Sequence, residues 1–191
     1  MNKQIKVIIS IVVVIIVLIM GVLSVYLYKE KIKKDSPIVN DFQECVDVAG
    51  LVEESYPRQC NFNGHNFTED IGNEQEKSDL IILENPRPNQ IIQSPLLIKG
   101  RARGMWFFEA NFPVILVNWD GLIIAEGFAT AKGDWMTEEF VPFEANLYFT
   151  IDKDIYSNRG ALILKKDNPS GLPEHNDALE IPIIFEDIKN K

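Results

Sequence analysis

From residue 79 onward the chain is written in short apolar runs, and that rhythm constrains its fold more than any other feature. The runs cover 80–83 with 91–92, 96–102, 112–119, 122–131, 140–149, 161–165 and 179–185, separated by Gly, Pro, Asn and Asp. They are rich in Val, Ile, Leu and Phe, the residues that fit a pleated, half-buried surface. No helical pattern long enough for a crossover lies between them, which excludes the strand–helix–strand units of a parallel sheet. Asp120-Gly121 marks a tight turn between two of the runs. About seven short strands therefore predict an all-β body, two sheets packed as a sandwich.

Three ordered motifs sit between these runs. They are Gly104-Met-Trp-Phe-Phe-Glu-Ala-Asn-Phe-Pro113, Gly133-Asp-Trp-Met-Thr-Glu-Glu-Phe-Val-Pro-Phe143 and Leu164-Lys-Lys-Asp-Asn-Pro-Ser-Gly-Leu-Pro173. Together they resemble the bacterial spore-germination immunoglobulin-like family, named for its association with germination-protein-M ("germane") domains. The resemblance covers residues 79–187 and implies an immunoglobulin-like β-sandwich that is extracytoplasmic and non-catalytic, a binding or assembly domain. The chain departs from the family's usual setting in having no germane domain, so a role in sporulation is not implied. The Cys-Trp-Cys core of antibody domains is also missing, and packing alone must hold the sandwich.

The other end of the chain reads differently. Residues 7–28 carry no charge. As a helix they would reach about 33 Å, against a hydrocarbon core of about 30 Å. The expectation is a transmembrane anchor behind a basic tail at 1–6, followed by a Lys-rich stalk at 29–40. A cleaved signal peptide is the rival, favoured by Lys3 and Lys6 but opposed by the length of the run and the lack of a small-residue cleavage site. Charge divides the same way, net +5 over residues 1–34 and net −14 over the rest. An acidic body of that kind is a poor partner for nucleic acid. The stalk lysines, counted alone, would hold the body in the cytoplasm. Cys45 and Cys60 argue the opposite, because a lone pair 15 residues apart suits a disulfide in an oxidising space. The alternative is two unpaired small hydrophobes. The favoured topology is a single pass of the cytoplasmic membrane with the C-terminal body outside.

Residues 41–70 read as a small Cys-paired module. A short helix is expected over 41–49, capped by Asp41 with Glu44 three residues on and stopped by Gly50, followed by a hairpin turning at Asn63-Gly64. Cys45, Gly50, Tyr56-Pro57-Arg58-Gln59-Cys60, Gly64 and Phe67 resemble a short module that precedes other domains in bacterial envelope proteins. A polar linker at 71–78 leads to the sandwich at 79–187.

Catalytic chemistry is not spelled out. There is no nucleophile elbow, phosphate-binding loop or dinucleotide fingerprint, and the two histidines, His65 and His175, lack metal-ligand spacing. Asp152 and Asp154 have only the first spacing of a calcium loop, and Asp167, Glu174 and Asp177 read as solvated loop acids. No catalytic, cofactor or metal residue is expected. An up-and-down strand path brings three loops to one end, which makes Trp106 and Glu109, Asp134, Trp135 and Glu138, and Asp167, Asn168, Pro169 and Gly171 the candidate binding residues. Lys99, Arg101 and Arg103 share one face of a strand, either a ridge for an anionic polymer or an ordinary solvated face. Of the aromatics Trp106, Phe107, Phe108, Trp119 and Trp135, at least half are expected in the core, and exposed ones could stack on sugar rings. The function that follows is binding or scaffolding in the cell envelope, with another envelope protein or a wall polymer as partner. The alternative is a carbohydrate-binding module working through tryptophans and the basic face.

Overall fold

A computed structural model describes residues 3–34, 37–48, 50–152 and 156–186, with the backbone alone given for 3–13 and 30–34. The chain divides into two compact units, Met1–Glu54 with Gln59–Phe67, and Ser55–Arg58 with Thr68–Lys191.

In the first unit, helix α1 runs from Lys3 to Lys34. The expected transmembrane helix is corrected here. Among the described residues no helix is long and apolar enough to cross a membrane. The side chains of 7–13, which the expected span needs, lie outside the described residues.

Helix α2 (Phe42–Asp47) starts where its cap requires. The Asp41 carboxylate accepts from the Glu44 N–H at 2.8 Å, and Glu44 reaches back to the N–H of Asn40 at 2.8 Å, one residue earlier than in the usual capping box. A three-stranded antiparallel sheet follows, β1 (Leu51–Glu53), β2 (Gln59–Phe62) and β3 (His65–Thr68), in that order. Between β2 and β3, Asn63 and Gly64 take φ of 52° and 81°, the paired left-handed conformations of a two-residue hairpin turn. Cys45 and Cys60 form a disulfide across a Cα separation of 6.1 Å and, with Phe42, make the unit's small core. Gly50 is fixed by that bond, because a Cβ there would lie 2.6 Å from the Cys60 sulfur and 2.7 Å from the Cys45 sulfur.

The second unit is the sandwich. After the short helix α3 (Glu74–Lys77) come β4 (Ile81–Asn85), β5 (Ile91–Ile92), β6 (Leu96–Arg103), β7 (Asn111–Asn118), β8 (Ile123–Ala131), β9 (Phe140–Leu147), β10 (Arg159–Lys165) and β11 (Ala178–Phe185). They follow the order β4-β6-β9-β8-β7-β10-β11-β5, with β5 parallel to β11 and the other pairings antiparallel. Strand β8 joins the halves, pairing along most of β7 but with β9 only at Thr130 and Ala131. Burial alternates along β6, β9 and β11. The inward residues of both halves meet in one core, where Phe112 on β7 packs edge-on against Phe143 on β9 with ring centroids 4.9 Å apart.

Candidate functional site

The loop after β6, the loop after β8 and the loop after β10 meet at one end of the sandwich, and most of their contacts are structural. Gly104, in a single 3-10 turn ending at Trp106, lies so close to the second loop that a Cβ would fall 1.9 Å from the Thr137 carbonyl oxygen and 2.3 Å from that of Trp135. The third loop joins through the Asp167 N–H, which donates to the Trp106 carbonyl at 3.1 Å. Trp106 is fully buried, with its Nε1 unpartnered, and Phe107 is buried beside it. Trp135 is half-buried against the same core. Glu109 and Ala110 form the tip of a two-residue turn, both at positive φ (49° and 63°), while Phe108 and Asn111 exchange backbone hydrogen bonds at 2.9 and 3.0 Å. Asp134 accepts from the Met136 N–H, and Glu138 lends its carbonyl to Arg103. Asn168 ties its own loop, donating to the Leu172 carbonyl at 2.8 Å and to Asn176 at 2.8 Å, while Pro169 and Gly171 stand exposed.

The opposite end carries an open groove of about 660 Å3. Its floor is the outer face of β7, β10 and β11, where Val117, Ala161 and Pro182 lie side by side in register. One rim is aromatic, Trp119 and Tyr156 with centroids 5.1 Å apart and planes at 48°. Trp119 is 47% exposed and Tyr156 88%. The other rim is polar, formed by Asp70, Asn73 and Glu180. The turn between β7 and β8 explains the exposed tryptophan. Asn118 Oδ1 accepts from the N–H groups of Asp120 and Leu122 at 3.0 and 2.9 Å, and Gly121 takes φ of 76°. Trp119 is the first residue of that loop, held out by its backbone.

Residues 80–171 match the family described as the immunoglobulin-like domain of bacterial spore germination. It is the family that the three motifs resemble. The matched segment takes in β4 through β10 and all but the end of the third motif, and it stops short of β11. No curated protein and no solved structure matches the chain significantly.

On the immunoglobulin-like domain the basic strand is largely matched by acids and aromatics. Lys99 and Arg101 alternate with buried neighbours on β6, and Arg103 is half-buried. Arg101 lies 3.6 Å from Glu84, and Arg103 3.8 Å from Glu139. The Arg103 guanidinium also sits 4.1 Å from the centre of the Phe140 ring and donates to the carbonyls of Asp79 and Glu138. Lys99 stands across from Glu144 in the β6–β9 register. The loop acids are likewise in use, since Asp177 pairs with Lys77 at 2.6 Å. Asp154 lies outside the described residues, and among the described residues no three His, Cys, Asp or Glu side chains cluster to hold a metal.

Two buried carboxylates, which the sequence did not single out, hold Ser55–Arg58 within this unit. Glu69 accepts from Arg58 Nε at 2.9 Å and Nη2 at 2.7 Å, and from Asn89 at 3.2 Å. The Arg58 hydrogen bonds outweigh burial and hold the Glu69 carboxyl below the ordinary range. Glu74 accepts a hydrogen bond from the Tyr56 hydroxyl and lies 2.7 Å from Arg87. Its burial prevails over the attraction of Arg87 and raises its carboxyl. Glu69 falls in the Cys-paired segment and Glu74 in the polar linker, and their partners lie 11 to 20 residues away, so no local pattern marks them.

Tyr156, Asp70 and Glu180 were likewise not singled out from the sequence. Only Trp119 carried a signal, as an aromatic next to a turn. The groove exists because β10 pairs with β7 and β11, a long-range pairing that no local motif encodes.

Proposed function

We propose that the chain is a non-catalytic binding and scaffolding module of the bacterial cell envelope, working outside the cytoplasm. The aromatic-rimmed groove carries the reading. A half-exposed tryptophan and an exposed tyrosine beside a concave apolar floor are a binding surface, since core packing would have buried them. The shared family fold supports binding over chemistry. The Cys45–Cys60 disulfide supports the location, because such a bond persists in oxidising compartments.

Two measurements test this. Alkylation of the full chain in intact cells, quenched before lysis, should leave both cysteines unlabelled until reductant is added. Two reactive thiols would exclude the location. Affinity capture from envelope extract should recover a protein or wall polymer that is lost with Trp119→Ala and kept with Trp135→Ala. Equal recovery by wild type and Trp119→Ala would remove the groove from the reading.

A further inference from the structure

We infer that the groove between Trp119–Tyr156 and Asp70–Glu180 is a subsite for a neutral glycan, one or two pyranose rings of a longer chain. The inference rests on the binding-module reading and names its ligand class. Three features of the groove point the same way.

The first is the aromatic rim. A pyranose presents a face of axial C–H groups that packs on an aromatic face, and Trp119 and Tyr156 offer two faces inclined at 48° to each other. The second is the polar rim, which supplies hydrogen-bonding atoms with capacity left over. Asp70 Oδ1 is taken by the Gly72 N–H, and Asn118 Oδ1 by Asp120 and Leu122. That leaves Asp70 Oδ2 and Asn118 Nδ2, together with the Glu180 carboxylate and the Arg159 guanidinium, as acceptors and donors for ring hydroxyls. The third is charge. Asp70 and Glu180 against one arginine leave the groove net acidic, on a chain of formal charge −9, which repels a polyanion. The basic strand does not reverse this, because Arg101 and Arg103 already face Glu84 and Glu139. A protein partner would prefer a broad apolar patch with a dry centre, whereas here the apolar floor is edged by Asp70, Asn73, Asn118, Arg159 and Glu180.

The test is a titration of the full chain with the hexamers of N-acetylglucosamine and of glucose, read by tryptophan fluorescence. Trp119 is the most exposed of the three tryptophans and dominates any response to a surface ligand. Saturable binding of either hexamer, weakened about tenfold or more by Trp119→Ala and by Tyr156→Ala, is the expected result. Trp119→Phe should restore part of it by keeping an aromatic face, and Trp135→Ala should leave it unchanged. Which hexamer binds more tightly tells whether the acetamido group contributes. An oligogalacturonate serves as the anionic contrast and should bind more weakly than either. The inference is overturned by tighter binding of the anionic oligomer, or by binding that survives Trp119→Ala in a variant with an unchanged melting curve. Failure of both neutral hexamers, with an envelope protein still captured through Trp119, overturns the glycan while leaving the binding module standing.

Discussion

Glu69 and Glu74 are two buried glutamates that answer pH in opposite directions. Glu69 is held below the ordinary carboxylate range by Arg58, so it adds stability at neutral pH that is lost as pH falls through its lowered value. Glu74 is raised by burial, so its charged form costs stability at neutral pH, and that cost is relieved first on acidification. Replacing Glu69 with Gln removes a charged, bidentate acceptor for a half-exposed arginine and should cost about 1.5–3 kcal/mol at neutral pH. Urea unfolding at about pH 7 and again at about pH 3 should show the difference from wild type shrinking as the carboxylate titrates. A difference that stays constant with pH would show that packing, not charge, is what Glu69 contributes. The turn at Glu109-Ala110 makes a second residue-scale case. Both residues hold left-handed backbone that favours Asn and Gly. The double change Glu109→Asn, Ala110→Gly should stabilise the domain by about 1 kcal/mol, seen as a higher melting temperature. A lower one would mean that these side chains matter more than the backbone strain.

Among the elements, the β7–β8 hairpin depends on a single side chain. Asn118 satisfies two loop N–H groups while its own backbone pairs with Leu122 at 3.0 Å. Asn118→Ala should therefore cost about 1–2 kcal/mol and loosen the loop that presents Trp119. Thermal melting measures the first effect. A more solvent-exposed tryptophan emission measures the second, and an unmoved emission with full stability would refute the turn's role. Strand alternation was legible beforehand at β6, where the run at 96–102 anticipated the observed pattern of buried and exposed residues. The Glu109-Ala110 turn was not, because neither residue type advertises left-handed backbone. It is imposed by the pairing of Phe108 with Asn111.

For the whole molecule, all three tryptophans lie in the unit that contains the sandwich, while the only disulfide lies in the other. Tryptophan fluorescence thus reports one unit alone. A bridge closing 15 residues is worth about 3 kcal/mol to the small module, whose core is little more than Phe42 and the two sulfurs. Reduction should unfold that module and leave the tryptophan-detected melting temperature within about 2 °C of its oxidised value, since the sandwich has an apolar core of its own. A large drop would show that the two units do not melt independently.

What the sequence determined by itself was local: the strand rhythm, the Asn63-Gly64 turn, the Asp41 cap and the three motifs that name the family. Each is set by the backbone preferences of a few adjacent residues, and such preferences act over short distances along the chain. Whether Trp106 and Trp119 lie inside or outside was beyond that reach. An indole has the same apolar surface in either place, and only the meeting of three loops buries the first while Asn118 holds the second out at a turn. The transmembrane expectation failed, since among the described residues no helix is long and apolar enough to cross a membrane. The groove belongs wholly to tertiary structure. Asp70, Trp119, Tyr156 and Glu180 are strangers in sequence, brought together because β10 pairs with β7 on one side and β11 on the other. That register is chosen by the packing of the sandwich core, which no single segment specifies.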